Sequence, residues 1–146
     1  MNKKPLIVFG DDEARLIDSY KMELELELNC EVKIISNTDK LLEFLQTGNK
    51  QVDLLILDVM MPPGSNHTIS DRNHQEGLNT GLIIYEILRE KGISLPIVIF
   101  TNSVRDEQNQ IVTKISQDDK AKFLQKEDYL PFELADEIKS FIEFEQ

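Results

Sequence analysis

Apolar positions follow two rhythms along this chain. Apolar runs at Leu6-Ile7-Val8-Phe9 (between Pro5 and Gly10), at Val52 to Leu57 (nearly all apolar after Asp53) and at Pro96-Ile97-Val98-Ile99-Phe100 read as buried strands. Glu31-Val32-Lys33-Ile34-Ile35 and Ala121-Lys122-Phe123-Leu124-Gln125 mix apolar with charged residues and read as two further strands. Between the strands, apolar residues recur at helical spacing. The first helix runs from Glu13 to about Asn29, with Leu16, Ile17, Tyr20, Leu24 and Leu28 inward. Its stretch from Met22 to Leu28 alternates apolar residues with Glu, as a half-exposed strand would, but the continuous stripe and the helix-forming composition favour a helix. Further helices are expected from Asp39 to Gly48, from Leu78 to Lys91 with Gly92 as the stop, from Asp106 to Gln117, and from Pro131 to Phe144.

Strands alternating with helices imply parallel βαβ units. The first and fourth strands, and the third after Asp53, are continuous apolar runs, as expected of strands covered on both faces. Glu31, Lys33 and Lys122 mark the second and fifth as edges. The expectation is an α/β fold with a doubly wound five-stranded parallel sheet in the flavodoxin-like order 2-1-3-4-5, with five helices on both faces. Residues 59–77 interrupt this rhythm: a 19-residue connection, its centre polar and without apolar periodicity, where such connections run about 2–6 residues. They read as an inserted surface loop beside the site, or as a lid or partner-binding loop.

Length and charge narrow the possibilities. At 146 residues the chain suits one domain, 1–146. The formal net charge of −11 argues against nucleic acid or an anionic membrane surface as partner. The lone Cys30 cannot form an internal disulfide and reads as a small buried residue. Four consecutive apolar residues near the N-terminus are too few for a signal peptide, and nothing approaches a membrane span. A cytoplasmic protein is expected, and the ending Phe-Ile-Glu-Phe-Glu-Gln lacks linker character.

In an open parallel sheet, chemistry gathers at the carboxyl ends of the strands. Here those ends carry Asp11 and Asp12 after the first strand and Asp58 after the third. Thr101, Asn102 and Ser103 follow the fourth, and Lys126 follows the fifth. Carboxylates sharing one crevice repel unless a cation joins them, and hard oxygen ligands suit Mg²⁺. Lys126 and Thr101 suit phosphoryl oxygens, and Asp58, on a central strand between the others, is the nucleophile candidate. Taken singly, each residue could be a helix cap or a solvated charge; it is their convergence that points to phosphoryl transfer.

The segments Phe9-Gly10-Asp11-Asp12-Glu13, Leu57-Asp58-Val59-Met60-Met61-Pro62, Phe100-Thr101-Asn102 and Phe123-Leu124-Gln125-Lys126 resemble the receiver domain of two-component response regulators, over essentially the whole chain. The resemblance implies that Asp58 accepts a phosphoryl group from a phosphohistidine on a sensor histidine kinase or histidine phosphotransfer protein. It implies Mg²⁺ held by Asp12, Asp58 and the backbone carbonyl of Met60, with Asp11 acting through water. Thr101 and Lys126 would contact the phosphoryl oxygens. Thr101 and Phe123 would form a switch that reshapes the surface read by a downstream protein target. Beyond self-phosphorylation and autodephosphorylation at Asp58, no enzyme activity is implied.

Some features depart from that pattern. Glu127 stands where receivers carry Pro after the lysine, so a rearranged loop is expected there. Asn102 stands where a small residue is usual and, with Met60 and Ser103, flanks the entrance to Asp58. His67 and His74 lack companion ligands for a metal. Met22 and Leu26, four residues apart on the first helix, are candidates for contact with a phosphodonor helix. Two other readings stay open: an interaction module of receiver fold that is not phosphorylated, and an aspartate-nucleophile phosphohydrolase. The latter usually carries an Asp-x-Asp pattern after the first strand, which is lacking here.

Overall fold

The computed structural model describes residues 4–76, 79–102 and 108–143. One sheet of five parallel strands runs in the order β2-β1-β3-β4-β5. The strands are β1 Leu6–Gly10, β2 Glu31–Ile35, β3 Leu54–Leu57, β4 Ile97–Thr101 and β5 Ala121–Gln125. Among the described residues the α-helices are α1 Ala14–Leu28, α2 Thr38–Gly48, α3 His67–Glu76, α4 Thr80–Glu90, α5 Gln110–Ser116 and α6 Pro131–Phe141. This is the doubly wound, flavodoxin-like arrangement that the apolar pattern predicts.

Alternation along the strands divides the core between the two faces. Val8, Leu55, Leu57, Ile97 and Ile99 pack with α2, α3, α4 and α5. Ile7, Phe9, Leu54, Ile56, Val98 and Phe100 pack with α1 and α6. The charged residues of the edge strands are used: Lys122 of β5 donates to Glu137 of α6 at 2.6 Å, and Lys33 of β2 lies over the Phe44 ring.

Helix ends follow local chemistry. Asn37 accepts the Lys40 N–H and starts α2 at Thr38, one residue before the expected Asp39. Asn29, at φ 48°, stops α1, and Gly92, at φ 76°, follows α4. Asn109 accepts the Ile111 and Val112 N–H groups and starts α5 at Gln110. The expected helix starts at Leu78 and Asp106, the expected end at Phe144, and Ser103 lie outside the described residues.

Two expectations are corrected. Residues 59–77 are not simply a loop, because they contain α3, which makes six α-helices among the described residues rather than five. Asn66 accepts the Ile69 N–H at 3.0 Å at its start, and Ile69 is fully buried. Arg72 then bonds Glu86 at 2.6 Å and Glu90 at 3.1 Å on α4. A helix anchored by one apolar side chain and a pair of ionic bonds carries no periodic stripe, so its sequence does not announce it. The second correction is Leu16, expected inward but 66% exposed. It lies one residue, about 100° of arc, from Ile17. Ile17, Leu24 and Leu28, with Tyr20, already fill the face that α1 turns to the sheet.

Candidate functional site

The register of the sheet gathers the expected site residues. Gly10 of β1 pairs with Leu57 of β3, so the next residues, Asp11 and Asp58, emerge side by side. The Asp58 N–H donates to the Gly10 carbonyl at 2.9 Å and extends that ladder by one residue. On the other side Thr101 of β4 pairs with Gln125 of β5, which delivers Lys126 to the same edge. Carboxylate oxygens of Asp11, Asp12 and Asp58 all lie within 4.8 Å of one another. Asp11 and Asp58 are buried and Asp12 is exposed.

Each oxygen of Asp58 has a different neighbour. Oδ1 accepts the Thr101 hydroxyl at 2.7 Å and the Met60 N–H at 3.3 Å. Oδ2 lies 3.7 Å from Lys126 Nζ. Asp11 Oδ1 accepts the Glu13 N–H at 2.9 Å, and its Oδ2 accepts from Lys126 Nζ at 2.5 Å. Burial pushes the Asp11 carboxyl above its ordinary range, and the bonds from Lys126 and Glu13 offset this only in part. For Lys126, burial works against the ammonium, but the bond to Asp11 and the Asp11 and Asp58 charges outweigh it and raise its pKa. Three carboxylates thus face one ammonium, an imbalance that favours a further cation at this edge.

The donor set suits Mg²⁺. Hard carboxylate oxygens converge from two strand ends, one of them on the exposed side chain of Asp12. The corner after Lys126, where Glu127 stands, leaves that side chain in the site. Lys126–Asp128 form one 3₁₀ turn, and Lys126 still reaches both carboxylates with its side chain 11% exposed.

The other candidates fall as follows. Phe123 is half-buried against the α4–α5 side of the core. Met60 is 46% exposed at the entrance, and Asn102 is exposed. His67 is exposed at the start of α3, and the side chain of His74 lies outside the described residues. Cys30 is buried, its thiol pushed up to about 11, chiefly by burial, which suits a packing role. Met22 and Leu26 are 71% and 76% exposed.

Sequence reasoning missed Gly81. A Cβ there would stand 2.2 Å from the Asp58 carbonyl oxygen, so the start of α4 lies directly against the backbone of Asp58. A glycine inside a helical pattern is the available signal for such close approach. It also missed the link from Tyr20, whose hydroxyl donates to the Tyr129 carbonyl at 2.8 Å.

No protein-family model and no curated protein matches the chain. Solved structures do. The response regulator TrrA from Thermotoga maritima, in complex with Mg²⁺-BeF, shares 24% identity over 94% of this chain and 99% of that one, with a TM-score of 0.67. A Francisella response regulator receiver domain shares 22% identity over 94% and 95% of the two chains, at 0.67. A CheY-like receiver domain protein from Methanospirillum hungatei shares 19% over 94% and 93%, at 0.66. The fold of this chain is that of response regulator receiver domains. No helix among the described residues is long and apolar enough to cross a membrane.

Proposed function

We propose that this chain is a phosphoacceptor receiver of a two-component or phosphorelay system. In this reading it is a single cytoplasmic domain that takes a phosphoryl group from a phosphohistidine onto Asp58 and signals by protein contact. The observation that carries the reading is the setting of Asp58, with Thr101 Oγ1 at 2.7 Å, Lys126 Nζ at 3.7 Å, and Asp11 and Asp12 beside it. In the transfer a carboxylate oxygen of Asp58 bonds to phosphorus. The phosphorus–nitrogen bond to the donor imidazole breaks, and that nitrogen keeps the electron pair and later takes a proton.

Mg²⁺, when bound by Asp12, Asp58 and the Met60 carbonyl with Asp11 behind a water, would neutralise charge on the carboxylates and phosphoryl oxygens. The chain's own groups do the rest. Lys126, a compact charge on a flexible stem, swings from Asp11 to a phosphoryl oxygen. Thr101 gives up its bond to Asp58 Oδ1 and donates to another. That displacement, felt by half-buried Phe123 two residues along the pairing from Gln125, biases the α5–β5–α6 surface.

The donor is a sensor histidine kinase or histidine phosphotransfer protein, and the output is contact with a downstream protein. Nothing about the Lys126–Glu127 corner favours the unphosphorylated-module reading, because Lys126 reaches Asp11 and Asp58 despite Glu127. The test is incubation with Mg²⁺ and acetyl phosphate, read by intact mass. One phosphoryl adduct is expected in the parent chain and none in Asp58→Asn. An adduct that survives Asp58→Asn overturns the assignment of Asp58, and absence of both adduct and Mg²⁺ binding overturns the receiver reading.

A further inference from the structure

Lys126 is placed by the backbone that follows it, and a side chain from another element grips that backbone. The Tyr129 N–H donates back to the Lys126 carbonyl at 3.2 Å and closes the 3₁₀ turn Lys126–Asp128. The Tyr129 carbonyl in turn accepts the hydroxyl of Tyr20, from α1, at 2.8 Å. Among the described residues this is the one side-chain hydrogen bond that reaches residues 127–130 from outside this loop and α6.

The ring that carries the hydroxyl is itself braced. Tyr20 stands edge-on to Phe100 of β4, with centroids 5.2 Å apart, and Phe100 stands edge-on to Phe9 of β1 at 6.1 Å. Phe100 immediately precedes Thr101, and Phe9 lies two residues before Asp11. The phenol therefore gauges the turn after Lys126 against the strands that supply the rest of the site. That matters for this chain because a lysine stem is flexible and Glu127, unlike Pro, does not stiffen the turn.

We propose that Tyr20 is a positioning residue for Lys126. Its hydroxyl, through the Tyr129 carbonyl, pins the turn Lys126–Asp128 and so sets the ammonium's approach to Asp58. The proposal rests on the receiver reading of Asp58 for its consequence in catalysis, but its geometric half stands without it. The competing role is that Tyr20 simply cements α1 to the neighbouring loop. In that case its loss weakens the fold evenly and has no special link to Lys126.

The test uses Tyr20→Phe, which keeps the ring against Phe100 and removes one hydrogen bond. The first readout is the side-chain ammonium signal of Lys126 in ¹H–¹⁵N spectra, with no phosphodonor present. Tyr20→Phe is expected to shift or broaden it, and an unmoved signal overturns the proposal. The second is phosphoryl uptake from acetyl phosphate. Tyr20→Phe should lower the maximal rate about 3–10-fold, the range for one lost hydrogen bond, with the half-saturating Mg²⁺ concentration within about twofold. In a Lys126→Gln background Tyr20→Phe should cost nothing more, since the group it positions is gone. Equal losses in both backgrounds overturn the proposal. If the parent chain takes up no phosphoryl group and binds no Mg²⁺, the receiver reading fails, and the ammonium signal alone decides the positioning role.

Discussion

Gly81 is where the fold and the site press hardest on each other. In the first turn of α4, its N–H donates to the Val59 carbonyl at 3.2 Å. A Cβ on Gly81 would meet the Asp58 carbonyl oxygen at 2.2 Å, the Asp58 carbonyl carbon at 2.8 Å and the Val59 Cα at 3.0 Å. Two effects oppose each other in Gly81→Ala. Helix propensity favours alanine by about 1 kcal/mol. Against it, the closest contact must open from 2.2 Å to the 3.4 Å of ordinary packing, and every partner is backbone. Neither side yields easily, for Leu82, Ile83, Ile84 and Tyr85 bury the helix and β3 is buried throughout. Overpacking costs about 1–3 kcal/mol and occasionally more, so the upper end applies and the net loss is about 2 kcal/mol. The strand end that must move carries Asp58, and misplacing a reacting group by about 1 Å costs up to about 10²-fold in rate. Urea titration should show the lost stability, and intact mass should show phosphoryl uptake slowed about 10–100-fold. Gly92→Ala is the control: at φ 76° with nothing within 4 Å of a Cβ, it strains the backbone by about 1 kcal/mol and leaves uptake unchanged. Gly81→Ala with parental stability and uptake would refute the reasoning.

Other expected outcomes test different parts of the molecule. Mg²⁺ should raise the urea midpoint of the parent chain, by about 2.7 kcal/mol of stability at a hundredfold excess over Kd, and less in Asp12→Asn at the same concentration. Burial pushes the Asp118 carboxyl up, but bonds from Arg89 and Tyr85, each 2.7 Å, and from the Lys120 N–H outweigh it and hold it below 3.8. Its folded pKa is therefore depressed, so its stabilisation is present above 3.8 and lost as pH falls through the folded value. Asp118→Asn should cost about 1–3 kcal/mol near neutral pH and flatten that acid limb in urea midpoints measured across acid pH. Replacing exposed Met22 and Leu26 together with Glu should leave the melting temperature within a few degrees, yet slow transfer from a cognate phosphohistidine donor; unchanged transfer removes them from the docking surface.

Much of this was legible because the sheet is parallel. Apolar runs bounded by Gly10 or followed by Asp58 mark where strands stop, and in a parallel sheet all the stops lie at one edge. β2 and β5 fall where charge at Glu31, Lys33 and Lys122 puts them, at the margins. What stayed hidden depends on contacts between distant residues. Arg72 bonds Glu86 and Glu90 only once α3 lies on α4, and nothing local to Arg72 reports that. Leu16 and Ile17 are equally apolar, and the one-residue step between exposed and buried is decided by which arc α1 turns to the sheet. The grip of Tyr20 on Tyr129 spans 109 residues, and a tyrosine in an apolar stripe reads simply as core.

The insertion between β3 and α4 shows how a site tolerates a long detour beside it. At its start, Thr38 donates to the Pro62 carbonyl at 2.5 Å, and Asp39 accepts the Ser65 N–H at 2.9 Å and the Ser65 hydroxyl at 3.0 Å. Gly64, at φ 69°, lies so close to Asp39 that a Cβ would stand 2.6 Å from its carboxylate oxygen. The chain is thus tied to the first turn of α2 before it enters α3, and Arg72 ties α3 to α4. At its far end Gly81 bonds Val59, the residue next to Asp58. Both ends of the detour are held against the sheet's carboxyl edge by bonds that do not involve its middle. Loop-closure entropy grows only slowly with length, so the added residues cost little once those ends are secured. The position of Asp58 is then set by β3 and Gly81, at the two ends of the detour.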